Sequence, residues 1–143
     1  MRSNLYTLGE FTKMAIDYAG SLTPLPNQAT VVGLYGDLGS GKTTFVQAAS
    51  KALGVSSSVT SPTFLIMKSY ILPSTLYRLL VHVDAYRLKH PEELRKLRFD
   101  ELLVDPKNLI FVEWADKVAD LLPRDHRKLH FEFVDEHTRR VRS

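Results

Sequence analysis

Gly36, four intervening residues, then Gly41, Lys42 and Thr43 form the segment that most restricts how this chain can fold. Residues 29–35 (ATVVGLY), just before it, are nearly continuously apolar, which suits a buried central strand. Residues 42–53 (KTTFVQAASKAL), just after it, read as a helix stopped by Gly54. Strand, glycine-rich turn and helix in that order match the pattern G-x-x-x-x-G-K-[ST], which occurs once in the chain. Gly36, Gly39 and Gly41 allow unusual backbone dihedrals and a close approach to an anion. The N–H groups of the loop, through Asp37, Leu38 and Ser40, and the helix start at Thr43 and Thr44 offer positive potential to phosphate. Lys42 would neutralise the β- and γ-phosphates, and Thr43 would offer its hydroxyl to Mg²⁺. A nucleoside triphosphate is therefore the expected ligand. The absence of a guanine-reading Asn-Lys-x-Asp segment favours ATP over GTP.

Such a loop needs a carboxylate at the end of a neighbouring strand to hold the metal's water shell. Two acids stand at strand ends: Asp84 closes LLVHVD and Glu113 closes LIFVE. The second run is uninterrupted and reads as the strand beside the central one. His82 breaks the first and suggests a half-exposed strand. Glu113 is accordingly expected nearest Mg²⁺, with Asp84 orienting the metal shell or the attacking water. The alternative for either acid is a surface cap or an ion-pair partner.

The remaining segments alternate between helix and strand. Residues 8–19 carry apolar side chains at helical spacing. FLIMKSY and LYRLLVHVD read as two strands joined at a bend marked by Pro73. HPEELRKLRF has Pro91 and acids at its start and bases at its end, a helix signature. WADKVADLL reads as a short helix ended by Pro123, and KLHFEFV alternates like a strand with one wet face. This order predicts an α/β fold: a three-layer sandwich like those of phosphate-loop NTPases, around a mostly parallel sheet with an antiparallel portion. With 143 residues, a single domain spanning 1–143 is expected.

Composition narrows the setting. There is no cysteine, which excludes disulfides and thiolate metal sites and fits a cytoplasmic protein. No apolar run is long enough to span a bilayer, and the N-terminus does not read as a signal peptide. The formal charge of +3 comes partly from Arg124, Arg127, Lys128, Arg139, Arg140 and Arg142. No aromatic residues interleave with these arginines, so a solvated surface is the reading preferred over RNA binding.

VTSPTF, residues 59–64, crowds the hydroxyls of Thr60, Ser61 and Thr63 around Pro62. Short hydroxyl side chains on a mobile loop can bond a γ-phosphate and release it after hydrolysis. An ordinary loop entering a strand is the plainer alternative.

Taken together, GDLGSGKTTF, VTSPTF, HVDAYRL, PEEL and VEWADKVADLLP resemble, in order and approximate spacing, the TsaE family. That family is the small ATPase subunit of bacterial threonylcarbamoyladenosine synthesis on tRNA. The resemblance covers about residues 5–123. It implies binding of ATP and Mg²⁺, weak hydrolysis by the isolated protein, and association with a TsaB–TsaD heterodimer in which TsaD transfers the threonylcarbamoyl group to tRNA. It implies that Lys42 is the phosphate-binding lysine, that Thr43 and Glu113 are Mg²⁺ ligands, and that Thr60 and Thr63 lie in a switch-like loop. Asp84 matches a required acid, and Trp114 follows the glutamate as in the family. On its own, Trp114 reads as a core or rim aromatic, and its place directly after Glu113 also lets it pack over the nucleotide pocket or a partner. Three positions depart from the family pattern: Leu5 stands where a threonine is usual, Arg98 where a glycine is common, and alanines occupy VQAASKAL where a glycine often lies. A small-molecule kinase and a nucleotide-gated assembly module are the alternative functions. A kinase would need an acceptor pocket and a lid, for which the chain has little room.

Overall fold

The computed structural model describes residues 3–56, 66–73 and 76–143. A strand, β1 (Ser3–Thr7), runs directly into helix α1 (Leu8–Ser21). The junction is a capping box: the Thr7 side chain accepts from the Glu10 N–H, and the Glu10 carboxylate accepts from the Thr7 N–H at 2.8 Å. Phe11, Ala15 and Ala19, four residues apart, form the buried stripe of α1. The apolar run becomes β2 (Thr30–Gly36), followed by the loop and α2 (Lys42–Ala52). Then come β3 (Met67–Ile71), β4 (Leu79–Asp84), α3 (Glu92–Arg95), α4 (Phe99–Leu103), β5 (Asn108–Glu113), two 3₁₀ turns (Ala115–Lys117 and Ala119–Leu121), β6 (Arg127–Asp135) and β7 (Thr138–Arg142).

All seven strands join one sheet in the order β1-β7-β6-β2-β5-β4-β3. The four central strands β6, β2, β5 and β4 are parallel. The pairs β1·β7, β6·β7 and β3·β4 are antiparallel. Three pairings of each kind make the sheet evenly mixed among the described residues, rather than mostly parallel as expected. The difference lies at one edge. SNLYT and TRRVR carry little apolar patterning, so neither reads as a strand alone; each is one partner of a five-residue antiparallel ladder. The arginine-rich tail is thus largely sheet: Val141 is buried, and Arg139, Arg140 and Arg142 extend from a paired strand.

Helical segments cover both faces. On one, α1 and α2 pack Phe11 and Phe45 against Phe111 and Phe131, with ring centroids 5.5 to 6.0 Å apart in edge-to-face contacts. On the other, Leu94, Phe99, Val118 and Leu121 cover Val31, Val81, Ile110 and Val112. The helix expected across residues 90–99 is interrupted. α3 stops at Arg95, and Arg98, with a left-handed φ of 64°, starts α4 in a new direction. The helix expected across 114–122 is replaced by the two 3₁₀ turns, which are separated at Val118 with φ -130°; Trp114, just before them, is left-handed at φ 57°. Among the described residues no helix is long and apolar enough to cross a membrane.

Candidate functional site

Parallel β2, β5 and β4 end at one edge, where Gly36, Glu113 and Asp84 lie together. Ligands of open α/β sheets bind at that edge. β5 lies directly beside β2, pairing Leu34 with Glu113, and β4 lies on its far side, pairing Asp84 with Glu113. Strand alternation puts Phe111 and Glu113 on one face, with His82 and Asp84 on the same face of β4. That face looks toward α2, whose first turn carries Lys42, Thr43 and Thr44.

The loop has the backbone that its glycines were expected to allow. Gly36, Gly39 and Gly41 have φ of 140°, 77° and 110°. A Cβ on Gly41 would lie 2.9 Å from the Phe11 ring, so α1 presses directly on the loop. Lys42 folds back over this turn and is buried. Its ammonium donates to the carbonyls of Gly36 at 2.5 Å and Asp37 at 2.7 Å and to Ser40 Oγ at 3.2 Å. It also sits 4.1 Å from the centre of the Trp114 ring. Burial pulls its pKa below the ordinary lysine value, and the carboxylates of Glu113, Asp37, Asp116 and Asp84 oppose that shift. The left-handed backbone of Trp114 brings its ring over the loop, backed by Tyr86 at 5.0 Å.

Glu113 is 2 % exposed, yet both its oxygens are engaged. Thr43 donates its hydroxyl to Oε1 at 2.6 Å. His82 Nε2 lies 2.5 Å from Oε2. Asp84 is half-buried, and its Oδ1 accepts the Tyr86 N–H. The half-exposed reading of the first strand is corrected: β4 is buried through its centre, and His82 is fully buried. A polar residue in a strand is masked from water when a neighbouring strand supplies its partner.

A cavity of about 410 Å³ opens above these groups. Leu38, Gly39, Gly41, Lys42, Thr43, Thr44, Asp84, Glu113 and Trp114 all line it, as do Tyr86 and Arg87. Gly36, Asp37 and Ser40 act from behind, holding the lysine. Thr60 and Thr63, with the rest of VTSPTF, lie outside the described residues. Sequence reasoning missed Leu8, Phe11 and Arg139, which also line the cavity. It also missed His82 as a partner of Glu113, although a histidine two residues before a strand-end acid in an apolar run was a visible signal.

The side-chain oxygens at Thr43 and Glu113 suit a hard cation such as Mg²⁺. Among the described residues no group of three or more His, Cys, Asp or Glu side chains could hold a metal ion. An ion here would therefore complete its shell from phosphate oxygens and water, as Mg²⁺ does at nucleotide sites.

Residues 10–141 match the family model described as threonylcarbamoyl adenosine biosynthesis protein TsaE. The tRNA threonylcarbamoyladenosine biosynthesis protein TsaE of Rickettsia felis is 38% identical over 132 residues, covering 91% of this chain and 71% of that protein. The protein of the same name from Streptomyces coelicolor is 39% identical over 113 residues, covering 78% and 74%. The crystal structure of Bacillus subtilis YdiB superposes with a TM-score of 0.67 at 25% identity, covering 98% of this chain and 83% of that one.

Proposed function

The chain belongs to the TsaE family of tRNA threonylcarbamoyladenosine biosynthesis proteins, and we propose that it serves that pathway as a Mg²⁺-dependent ATPase acting on a TsaB–TsaD heterodimer. It does not itself transfer the threonylcarbamoyl group. The observation that carries this reading is the 2.6 Å contact between Thr43, on the turn after the loop, and Glu113, on the next strand. That contact supports placing a cation between the phosphate loop and a strand-end acid.

Bound Mg²⁺ supplies charge neutralisation on the β- and γ-phosphates. Lys42 exchanges the Gly36 and Asp37 carbonyls for phosphate oxygens, which stabilises the charge developing during transfer. The loop N–H groups hold the polyphosphate against the start of α2. Glu113 and Thr43 fix the cation position, and Asp84, on the cavity wall, orients the attacking water. Trp114 and Tyr86 restrict water access above Lys42. The output is a change at the protein's surface, felt by the partner, with Thr60 and Thr63 proposed to sense the γ-phosphate.

Reconstitution tests this reading. Phosphate release from ATP is measured with TsaB, TsaD, threonylcarbamoyl-adenylate and tRNA, each omitted in turn. The expected result is weak release by the protein alone and faster release with the heterodimer. ATP hydrolysis indifferent to TsaB–TsaD counts against it. Phosphorylation of a small-molecule acceptor in place of water would support a kinase instead.

A further inference from the structure

His82 is fully buried, and nothing in the proposed chemistry uses it directly. Its Nε2 meets Glu113 Oε2 at 2.5 Å, while its Nδ1 is buried without a hydrogen-bond partner. These two facts settle where the ring hydrogen belongs. A hydrogen on Nδ1 would leave a buried N–H unsatisfied and would turn a lone pair toward a carboxylate. A hydrogen on Nε2 leaves only an acceptor lone pair bare, which is the lesser cost. The ring therefore donates to Glu113.

The consequence is geometric. Glu113 has a flexible side chain and two equivalent oxygens. The parallel register sets His82 opposite Phe111 and Asp84 opposite Glu113, so His82 reaches Glu113 diagonally across the same face of the sheet. With Oε2 held from β4, Oε1 is the oxygen left for the Thr43 hydroxyl. The carboxylate is thus clamped from two elements, β4 and α2, in one orientation.

We propose that His82 is a positioning residue that holds Glu113 in the orientation needed for cation binding, with its Nε2–H donor as the working group. The inference rests on the metal-binding role proposed above for Glu113 and Thr43. Partners of this kind orient metal-binding side chains, and their loss weakens metal affinity about 10- to 100-fold.

The test compares His82→Leu, which removes the donor, with His82→Gln, whose side-chain amide can donate from a position close to Nε2. Calorimetry reads ATP binding first in EDTA and then across a Mg²⁺ series, with circular dichroism confirming the fold of each variant. The expected result is unchanged ATP binding in EDTA for both variants. The Mg²⁺ midpoint is expected about 10- to 100-fold weaker for His82→Leu and near wild type for His82→Gln. A folded His82→Leu with the wild-type Mg²⁺ midpoint overturns the proposal. Equal weakening in both variants also overturns it, because ring volume rather than the donor would then matter. A separate measurement needs no metal: the imidazole ¹⁵N spectrum of the free protein is expected to show Nε2 carrying the hydrogen, and a hydrogen on Nδ1 alone sinks the inference. Wild-type protein that binds ATP with no response to Mg²⁺, alongside an Nε2–H signal, would instead identify the metal reading of the site as the failure.

Discussion

The Thr43 hydroxyl donates to Glu113 Oε1 at 2.6 Å, joining the first turn of α2 to the last residue of β5. Replacing Glu113 by glutamine keeps its volume and removes its charge. ATP binding without Mg²⁺ is expected to persist, and Mg²⁺-dependent turnover to fall about 10- to 100-fold or more. Phosphate release at saturating ATP checks this; wild-type turnover in Glu113→Gln would overturn the metal-binding role proposed for Glu113.

Lys42 makes two short bonds to loop carbonyls and is buried, so its loss acts on both the loop and the ligand. Hydrogen bonds to charged groups contribute about 1.5–3 kcal/mol each. Lys42→Ala is expected to weaken ATP binding at least about tenfold, the equivalent of about 1.4 kcal/mol. Equilibrium binding of ATP by the variant reads the effect.

Gly41 has φ 110°, and a Cβ there would meet the Phe11 ring at 2.9 Å. Gly41→Ala is expected to cost about 1–3 kcal/mol from backbone strain, with added disruption where α1 meets the loop. Urea unfolding measures the loss, and nucleotide binding is expected to weaken with it.

Arg98 stands in a left-handed turn at φ 64°. Its bond to Glu101 at 2.9 Å joins two exposed side chains and contributes little. A glycine relieves strain of about 1–2 kcal/mol but adds freedom to the unfolded chain, worth about 0.4–1 kcal/mol. Arg98→Gly is therefore expected to stabilise the protein by up to about 1.6 kcal/mol and to raise its melting temperature by a few degrees. A lower melting temperature would show that the side chain matters more than the backbone.

Glu10, Glu93 and Asp135 have carboxyl pKa values below their ordinary ones, chiefly through backbone N–H bonds from Thr7, His90 and His137 respectively. A depressed carboxyl pKa contributes stability that is present above the unfolded value and lost as pH falls through the folded one. The melting temperature is expected to decline as pH drops below about 4.5, the ordinary value for glutamate. Glu10→Gln should flatten that decline, since it removes the titrating half of the α1 capping box. A decline of unchanged slope in Glu10→Gln would show that this cap does not contribute.

Much of the site was legible because its residues are close in sequence or carry a local rule. Gly36, Gly41 and Lys42 announce a tight turn through backbone chemistry alone. Glu113 was legible as the end of an uninterrupted apolar run, and its strand does lie beside β2. Arg98 was visible as a departure from glycine, and its positive φ supplies the physical sense of that departure. The helices expected across 90–99 and 114–122 failed because apolar spacing does not register a single residue that leaves the helical conformation, as Arg98 does in the first and Val118 in the second.

By itself, the sequence determined the glycine-rich turn, the buried strands β2 and β5 and the two strand-end acids, because each depends on a handful of adjacent residues and their backbone preferences. Only the tertiary structure decided that His82 grips Glu113, that Phe11 presses on Gly41, and that SNLYT and TRRVR are paired edge strands. Those relations depend on strand register and on which face meets α1 and α2. Register is set by all the strands together, so no single segment contains it.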